Sequence, residues 1–327
     1  MRKSVQGKHF SIENFYFELF KNFKDKDYEI KFKICPLLSK GFLNRIYLCM
    51  WAFFNQGSIN HICGDINFIS ILMSKKKTIN TFLDFYSMKR LKGLKRLIYL
   101  FFWIKIPYWK SKYIISISNY TKKELNKFVN IKKRKNNEVI GVSISSSFKK
   151  RIKKKMSKKP NIIVIGTAIN KNISNLILSL KDINCKLILV GEIDNEIFEK
   201  LKINKINYIN LISIKEKKLI KKYEECDILL FPSIYEGFGM PILEAQSIGR
   251  SVITSKLEPM RSVAGGGALL VNPRNIKEIS YAIKRLINNQ NLRNSLIRKG
   301  FHNVKQYRKE IILKKHLNVY NKALNNL

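Results

Sequence analysis

Acidic residues are scarce in this chain: 23 Asp and Glu stand against 63 Lys and Arg in 327 residues, a formal charge of +40. The many Lys, Ile and Asn residues suggest an AT-rich coding bias, but such a bias enriches acids too and explains only part of the imbalance. An anionic membrane face or nucleic acid is therefore the natural neighbour. Glycine and proline are also few, at 15 and 7, and with 45% apolar residues this excludes a long disordered tract. The cysteines, Cys35, Cys49, Cys63, Cys185 and Cys226, are scattered singly. With no CxxC pair and no His/Cys cluster, buried thiols in a reducing cytoplasm are expected and a zinc or other metal site is not. Long hydrophobic runs are missing as well. The longest, Leu97 to Trp109, is broken by Lys105 and is too short to cross a bilayer. MRKSVQGKHFSIENF has a basic start with no apolar core behind it, so no signal peptide is read. The expected setting is the cytoplasm, with a peripheral position on the inner face of the plasma membrane as an option. No internal repeat is visible.

The length favours two domains. In the first half, residues 10–25 and 41–55 read as helices, the second rich in Leu, Ile and aromatics. Ile59–Ile62, Thr78–Phe82 and Lys112–Ile117 read as strands, and Asn119–Phe128 as a helix. The run KKRIKKKMSKK at 149–159, ending at Pro160, has no face to bury and reads as a solvated linker. Strands are then expected at Asn161–Ile165, Lys186–Val190, Tyr208–Leu211, Ile228–Phe231, Ser251–Thr254 and Ala268–Val271, with helices between most of them. Three helices follow, at Ile276–Asn288, Asn291–Gln306 and Arg308–Leu324. The resulting division is a first domain at 1–148, a basic linker at 149–160 and a second domain at 161–327. The second domain is a doubly wound sheet, on which ligands bind beyond the carboxyl ends of the strands.

The densest chemistry lies in SIYEGFGMPILEAQSIGR. Glu236 sits in a glycine-flanked turn after the apolar run Ile228–Phe231, Pro241 opens a helix, and Glu244 lies one turn inside it. Proline suits a first helical position because its missing N–H would be unpaired there. Free amides at a helix N-terminus attract phosphate, while ionised carboxylates accept hydrogen bonds from sugar hydroxyls. For Glu244 the competing reading is a charge that merely stabilises the first helical turn.

FPSIYEGFGMPILEAQSIGRSVITS followed by SVAGGGALLVNP resembles the donor domain of retaining glycosyltransferases of family 4. The resemblance is good over 161–325 and weak before it. It implies the α/β fold called GT-B, with two Rossmann-like domains facing a central cleft and helices at the C-terminus. It also implies transfer of a hexose from a nucleotide-diphosphate sugar to a saccharide or lipid-linked acceptor, in surface polysaccharide or glycolipid assembly, without cofactor or metal. Carried over residue by residue, Glu236 contacts the transferred sugar and Glu244 holds the ribose hydroxyls. Gly237, Phe238 and Gly239 border the sugar and diphosphate. Gly166 and Lys171, in GTAINKNISNLI, lie at the phosphates, where an ammonium meets the charge that grows on the leaving group. A lysine on a solvated loop is the alternative for Lys171.

Asp84, in TINTFLDFYS, matches the acceptor-side "HD" of that family, and a turn or helix cap is the competing role. Three departures stand out. Leu83 replaces the family's histidine, Thr167 and Ala168 stand where many relatives have an arginine, and Gly7 is preceded only by MRKSVQ, so a first strand is missing or the true start lies upstream. His61 reads as a satisfied core histidine. Between Phe85 and Lys123 there is no acid, and MKRLKGLKRLIYLFFWIKIPYWKSK reads either as an interfacial helix on anionic lipid or as an ordinary core helix with solvated lysines. Besides a glycosyltransferase, two other classes fit parts of the pattern: a non-catalytic nucleotide-sugar-binding scaffold, and a basic nucleic-acid-binding protein. The second has no zinc-finger, RNP or homeodomain spacing behind it, and no nucleic acid is expected as partner.

Overall fold

The computed structural model of the chain describes residues 1, 11–21, 23, 29–130, 136–153 and 155–325. They form two compact units, Met1–Ser143 with Lys309–Leu327, and Ile144–Arg308.

The first unit holds a parallel sheet of four strands, β1 (Asn60–Ile62), β2 (Thr78–Phe82), β3 (Tyr113–Ser116) and β4 (Asn137–Val139), in the order β1-β2-β3-β4. Its helices are α1 (Ser11–Phe20), α2 (Phe42–Phe54), α3 (Tyr86–Arg90), α4 (Gly93–Tyr99), a π-helical turn at Leu100–Lys105, α5 (Ile106–Trp109) and α6 (Asn119–Phe128). β2 is buried throughout, as a parallel strand covered on both faces must be, and its polar side chains are paired. Asn80 Nδ2 donates to Ser111 Oγ at 2.7 Å, and Asn67 Nδ2 donates to Asn80 Oδ1 at 3.1 Å. Ser118 caps α6, its Oγ accepting from Thr121 N at 3.0 Å. One apolar cluster joins Leu48, Cys49 and Ala52 of α2 to Phe68 and Ile69, and another gathers Phe82, Phe85, Ile104, Tyr108 and Leu125.

β4 was not foreseen, because Asn137-Glu138-Val139 has no apolar run. Among the described residues no strand precedes Asn60. Gly7 and the segment around it lie outside the described residues. All five cysteines are buried and unpaired, as expected. His61 is a satisfied core histidine: one ring nitrogen lies 2.6 Å from Thr81 Oγ1 and the other 2.7 Å from Tyr320 OH. Burial pushes its pKa well down, helped by His316 nearby.

The second unit follows the expected strands closely. β5 (Asn161–Ile165), β6 (Lys186–Val190), β7 (Tyr208–Leu211), β8 (Ile228–Phe231), β9 (Ser251–Ser255) and β10 (Leu269–Val271) pair in parallel in the order β10-β9-β8-β5-β6-β7. Between and after them run α7 (Ile173–Leu180), α8 (Asn195–Ile203), α9 (Glu216–Glu225), α10 (Met240–Ile248), α11 (Met260–Ala264), α12 (Ile276–Asn288) and α13 (Gln290–Val304). The core is aliphatic: Ile162, Val164, Leu187, Leu189 and Leu230 from the strands meet Leu176, Ile177, Ile279 and Ile283 from the helices.

Two boundaries differ from the sequence-based division. The last helix, α14 (Lys309–Leu324), packs with the first unit and not with the second. Its buried stripe, Ile312, His316, Val319, Tyr320 and Ala323, has helical spacing, and Tyr113 OH donates to Lys322 O at 2.6 Å. The basic run, meanwhile, is not a free linker. Lys153 Nζ pairs with the buried Asp227 at 2.7 Å, and Arg151 N donates to Ile248 O at 3.0 Å. Charge alone hid these anchors, because the partners lie about seventy or more residues downstream. Lys154 is outside the described residues.

Arg250 fastens this region. It is 4% exposed, and its guanidinium donates to the carbonyls of Tyr223, Glu224 and Arg151 at 2.9, 2.8 and 2.7 Å. Two of these carbonyls end α9, where a cation is favoured by the helix dipole. Arg250→Leu leaves several buried carbonyls unpaired, and urea unfolding should show a loss of about 3 kcal/mol.

Candidate active site

In the second sheet β5 and β8 are neighbours, with β6-β7 on one side and β9-β10 on the other. The order in which successive strands are laid down thus reverses between them, and parallel pairing puts the carboxyl ends of both at one edge. A crevice opens there in doubly wound sheets. The loop after β5 carries Gly166 and Lys171, and the loop after β8 carries Glu236 to Gly239. Ile234 N donates to Asn170 O at 2.8 Å, which ties the two loops together.

Lys171 Nζ lies 2.7 Å from Glu236 Oε1, with both side chains mostly buried. The ammonium also stands over the Phe231 ring, 4.7 Å from its centroid. Gly166 makes this possible: its φ is +85°, and a Cβ there would fall 2.9 Å from Lys171 Cε. Asn170 and Asn172 complete the frame. Asn170 Nδ2 donates to Tyr235 O at 2.9 Å, and the Asn172 amide, on a left-handed residue, donates to the carbonyls of Pro232 and Pro273. The sequence marks these asparagines only by their clustering around Lys171.

α10 begins at Met240, behind Gly239 at φ +110°, with Pro241 in its first turn. Glu244 projects from the second turn. Tyr223 OH donates to Glu244 Oε2 at 2.7 Å. The Glu244 pKa is raised from about 4.5 to about 7: burial is the largest cause, Glu216 adds to it, and the Tyr223 hydrogen bond and the Lys171 charge oppose it. Lys171 thus pairs directly with Glu236, and its charge also lowers the Glu244 pKa. Phe238 is buried, its ring edge-on to Tyr307 at 5.7 Å. Tyr223 is fully buried in α9 and belongs to no recognisable motif, so spacing alone could not have flagged it.

Asp84 belongs to the first unit, at the carboxyl end of β2. It is exposed, and its Oδ1 accepts from Tyr86 N at 2.9 Å, the turn-capping role. Leu83, beside it, offers only its main-chain carbonyl, to Thr121 Oγ1 at 3.1 Å. A cavity of about 580 Å³ in the first unit is lined by Tyr16, Trp51, Asn60, His61 and Tyr320, among others, and by none of the candidate site residues. Among the described residues no cluster of His, Cys, Asp or Glu could hold a metal ion, and no helix is long and apolar enough to cross a membrane.

Residues 145–303 match the family model of glycosyl transferases group 1, nearly the span of the second compact unit. The O-antigen chain mannosyltransferase RfbU of Salmonella typhimurium is 26% identical over 250 residues, covering 73% of this chain and 68% of that protein. The N,N'-diacetylbacillosaminyl-diphospho-undecaprenol alpha-1,3-N-acetylgalactosaminyltransferase of Campylobacter jejuni is 26% identical over 53% of this chain and 47% of its own length. Among solved structures, Anabaena HepE in complex with UDP and glucose superposes with a TM-score of 0.78 over 98% of both chains, at 13% identity. The fold is therefore GT-B, two Rossmann-like α/β units. The matched pattern over the second unit, together with these transferase relatives, supports glycosyltransferase activity.

The buried Glu244 carries a stability cost that depends on pH. Its carboxyl loses its proton near pH 4.5 when unfolded and near pH 7 when folded. Between these values the unfolded state ionises first, so rising pH favours unfolding, and the cost is full above about pH 7. Glu244→Gln should therefore stabilise the protein by on the order of 3 kcal/mol at about pH 8 and by much less at about pH 5, read from thermal melts at both.

Proposed function

We propose that the chain transfers a hexose from a nucleotide-diphosphate sugar to a hydroxyl, with retained anomeric configuration, in surface polysaccharide or glycolipid assembly. The observation that carries this reading is the approach of Lys171 to Glu236 at 2.7 Å, with the Lys171 charge also acting on Glu244. Glu236 holds hydroxyls of the sugar, Glu244 accepts from the ribose, and Lys171 turns from Glu236 to the diphosphate when donor enters. The amides of Gly237 to Gly239 and the start of α10 border the phosphates.

The bond from the anomeric carbon to the phosphate oxygen breaks while the acceptor oxygen bonds to the same face. The acceptor proton passes to the departing diphosphate. Lysine, amides and helix dipole neutralise the growing charge in this scheme, so it requires no metal or cofactor. The acceptor is a saccharide or lipid-linked sugar, with Asp84 orienting its hydroxyl, and an anionic membrane surface on the cytoplasmic side is the place of encounter. The names of the relatives, which speak of an O-antigen chain and of a diphospho-undecaprenol-linked sugar, support this choice of acceptor.

Leu83, Thr167 and Ala168, and the capping bond of Asp84, favour a second reading: a scaffold that binds nucleotide sugar without turnover. Transfer assays with UDP-, GDP- and ADP-sugars separate the two. Under the first reading the parent transfers or hydrolyses one donor, chelation with EDTA leaves the rate unchanged, and Glu236→Ala lowers it about a hundredfold or more. Calorimetric binding of nucleotide without any turnover would select the scaffold. Nucleotide affinity should also rise as pH passes about 7, because an ionised Glu244 accepts hydrogen bonds and a protonated one accepts fewer.

A further inference from the structure

α2 is apolar on both sides. Leu48, Cys49 and Ala52 face the interior, but Phe42, Leu43, Ile46, Tyr47, Met50, Phe53 and Phe54 are exposed, Leu43 by 78% and Phe54 by 75%. Positions 42, 43, 46, 47, 50, 53 and 54 form one continuous helical stripe, where a helix packed on a soluble core ordinarily turns charged residues to water. A second exposed stripe runs along α4 and the π-helical turn that continues it, through Leu94, Leu97, Ile98, Phe101 and Phe102. The two elements adjoin. Arg45 of α2 lies 4.8 Å over the Trp103 ring, and Trp103 packs on Phe68 beneath α2.

Charge decides what would cover this surface. From Ile30 to Gly64, and again from Phe85 to Lys123, there is no aspartate or glutamate. Lys40, Lys92, Lys95 and Arg96 are exposed beside the stripes. Within both segments apolar and aromatic side chains are mixed with cations, Asp65 meeting α4 at the Tyr99 hydroxyl 3.3 Å away, and this is the pattern of a segment lying at the boundary between headgroups and acyl chains. Length excludes a span: 13 residues of helix reach about 20 Å, against a hydrocarbon core of about 30 Å.

We infer that α2, together with the helix of Leu94 to Phe102, is the docking face of this chain for an anionic phospholipid bilayer, with the exposed ring and aliphatic side chains of α2 entering the interface. The inference extends the reading above by naming the surface on which a lipid-linked acceptor would be met. It can fail while the transfer chemistry stands, since its test contains neither donor nor acceptor.

The full chain is sedimented with vesicles of phosphatidylcholine alone and of phosphatidylcholine mixed with phosphatidylglycerol. The expected result is retention by the mixed vesicles, weakened by salt, and a loss of about tenfold or more in Leu43→Glu/Phe54→Glu. A milder Phe42→Ser variant should give a smaller loss. Both variants alter exposed side chains, so unchanged melting and nucleotide binding are expected alongside. Absence of binding by the parent overturns the inference, as does equal binding by parent and double variant. A parent that is dimeric in solution, becomes monomeric in the double variant and ignores vesicles overturns it too, because the face would then join two copies of this chain.

Discussion

The parallel pairing of β5 with β8 is the constraint on which the candidate site depends. These strands are about sixty residues apart in sequence, yet Ile162 aligns with Ile228 and Ile163 with Leu229. Because both run the same way, each delivers the loop that follows it to one edge of the sheet. Lys171 and Glu236 meet for that reason alone, and no local propensity could bring them together. The core beneath fixes the pairing: Ile162, Val164, Ile228 and Leu230 are buried to 2% exposure or less. An aliphatic strand pair of this kind has little freedom of register, since its covering helices lock each side chain in place.

The paired loops are held by polar groups that serve the frame before they serve a ligand. Asn172 spans the carbonyls of Pro232 and Pro273, and Asn170 holds the main chain of Tyr235. Neither carries a charge, although Asn170 Nδ2 also reaches Glu236 Oε1, the oxygen that Lys171 holds, at 3.5 Å. Glu244 is the costly member. Burial works against its ionised form, and only the Tyr223 hydroxyl and the field of Lys171 offset this. A carboxylate kept where its charge is disfavoured is poised for hydroxyl donors arriving from outside, because each bond made to it relieves desolvation already incurred in folding.

Much of the second unit was legible in the sequence. Its strands are short apolar runs between turn residues, and the proline and glycines around Glu236 punctuate a strand, loop and helix in the order found. What could not be read is what depends on distant partners. KKRIKKKMSKK has the composition of a solvated tether, and only the buried Asp227 and the carbonyl of Ile248 turn part of it into an anchored strap. The last helix reads as a continuation of the helices before it, yet its stripe fits the first unit, where Tyr320 meets His61. Tyr223 illustrates the same limit inside the site: a buried tyrosine is unremarkable until its hydroxyl is seen on Glu244. Asp84 shows the converse, a motif-like residue whose visible bond is a turn cap.

Scarcity of acid gives each acidic residue unusual weight in this chain. Asp227 accepts from Asn161 N at 2.8 Å and pairs with Lys153, so it fixes the start of β5. Asp194 caps α8 through Ile197 N at 2.8 Å, and Glu278 accepts from Asn272 N at 2.9 Å beside the loop that Asn172 holds. Glu236 and Glu244 take the remaining central places. These five acids are thus placed at a strand start, a helix cap, a loop and the crevice, while the α2 and α4 segments carry none of their own and Asp65 meets α4 at the Tyr99 hydroxyl, 3.3 Å away. Charge composition therefore sets the two regions apart: cations dominate the α2 and α4 segments, whereas a few well-held carboxylates anchor the loops and the crevice of the second unit.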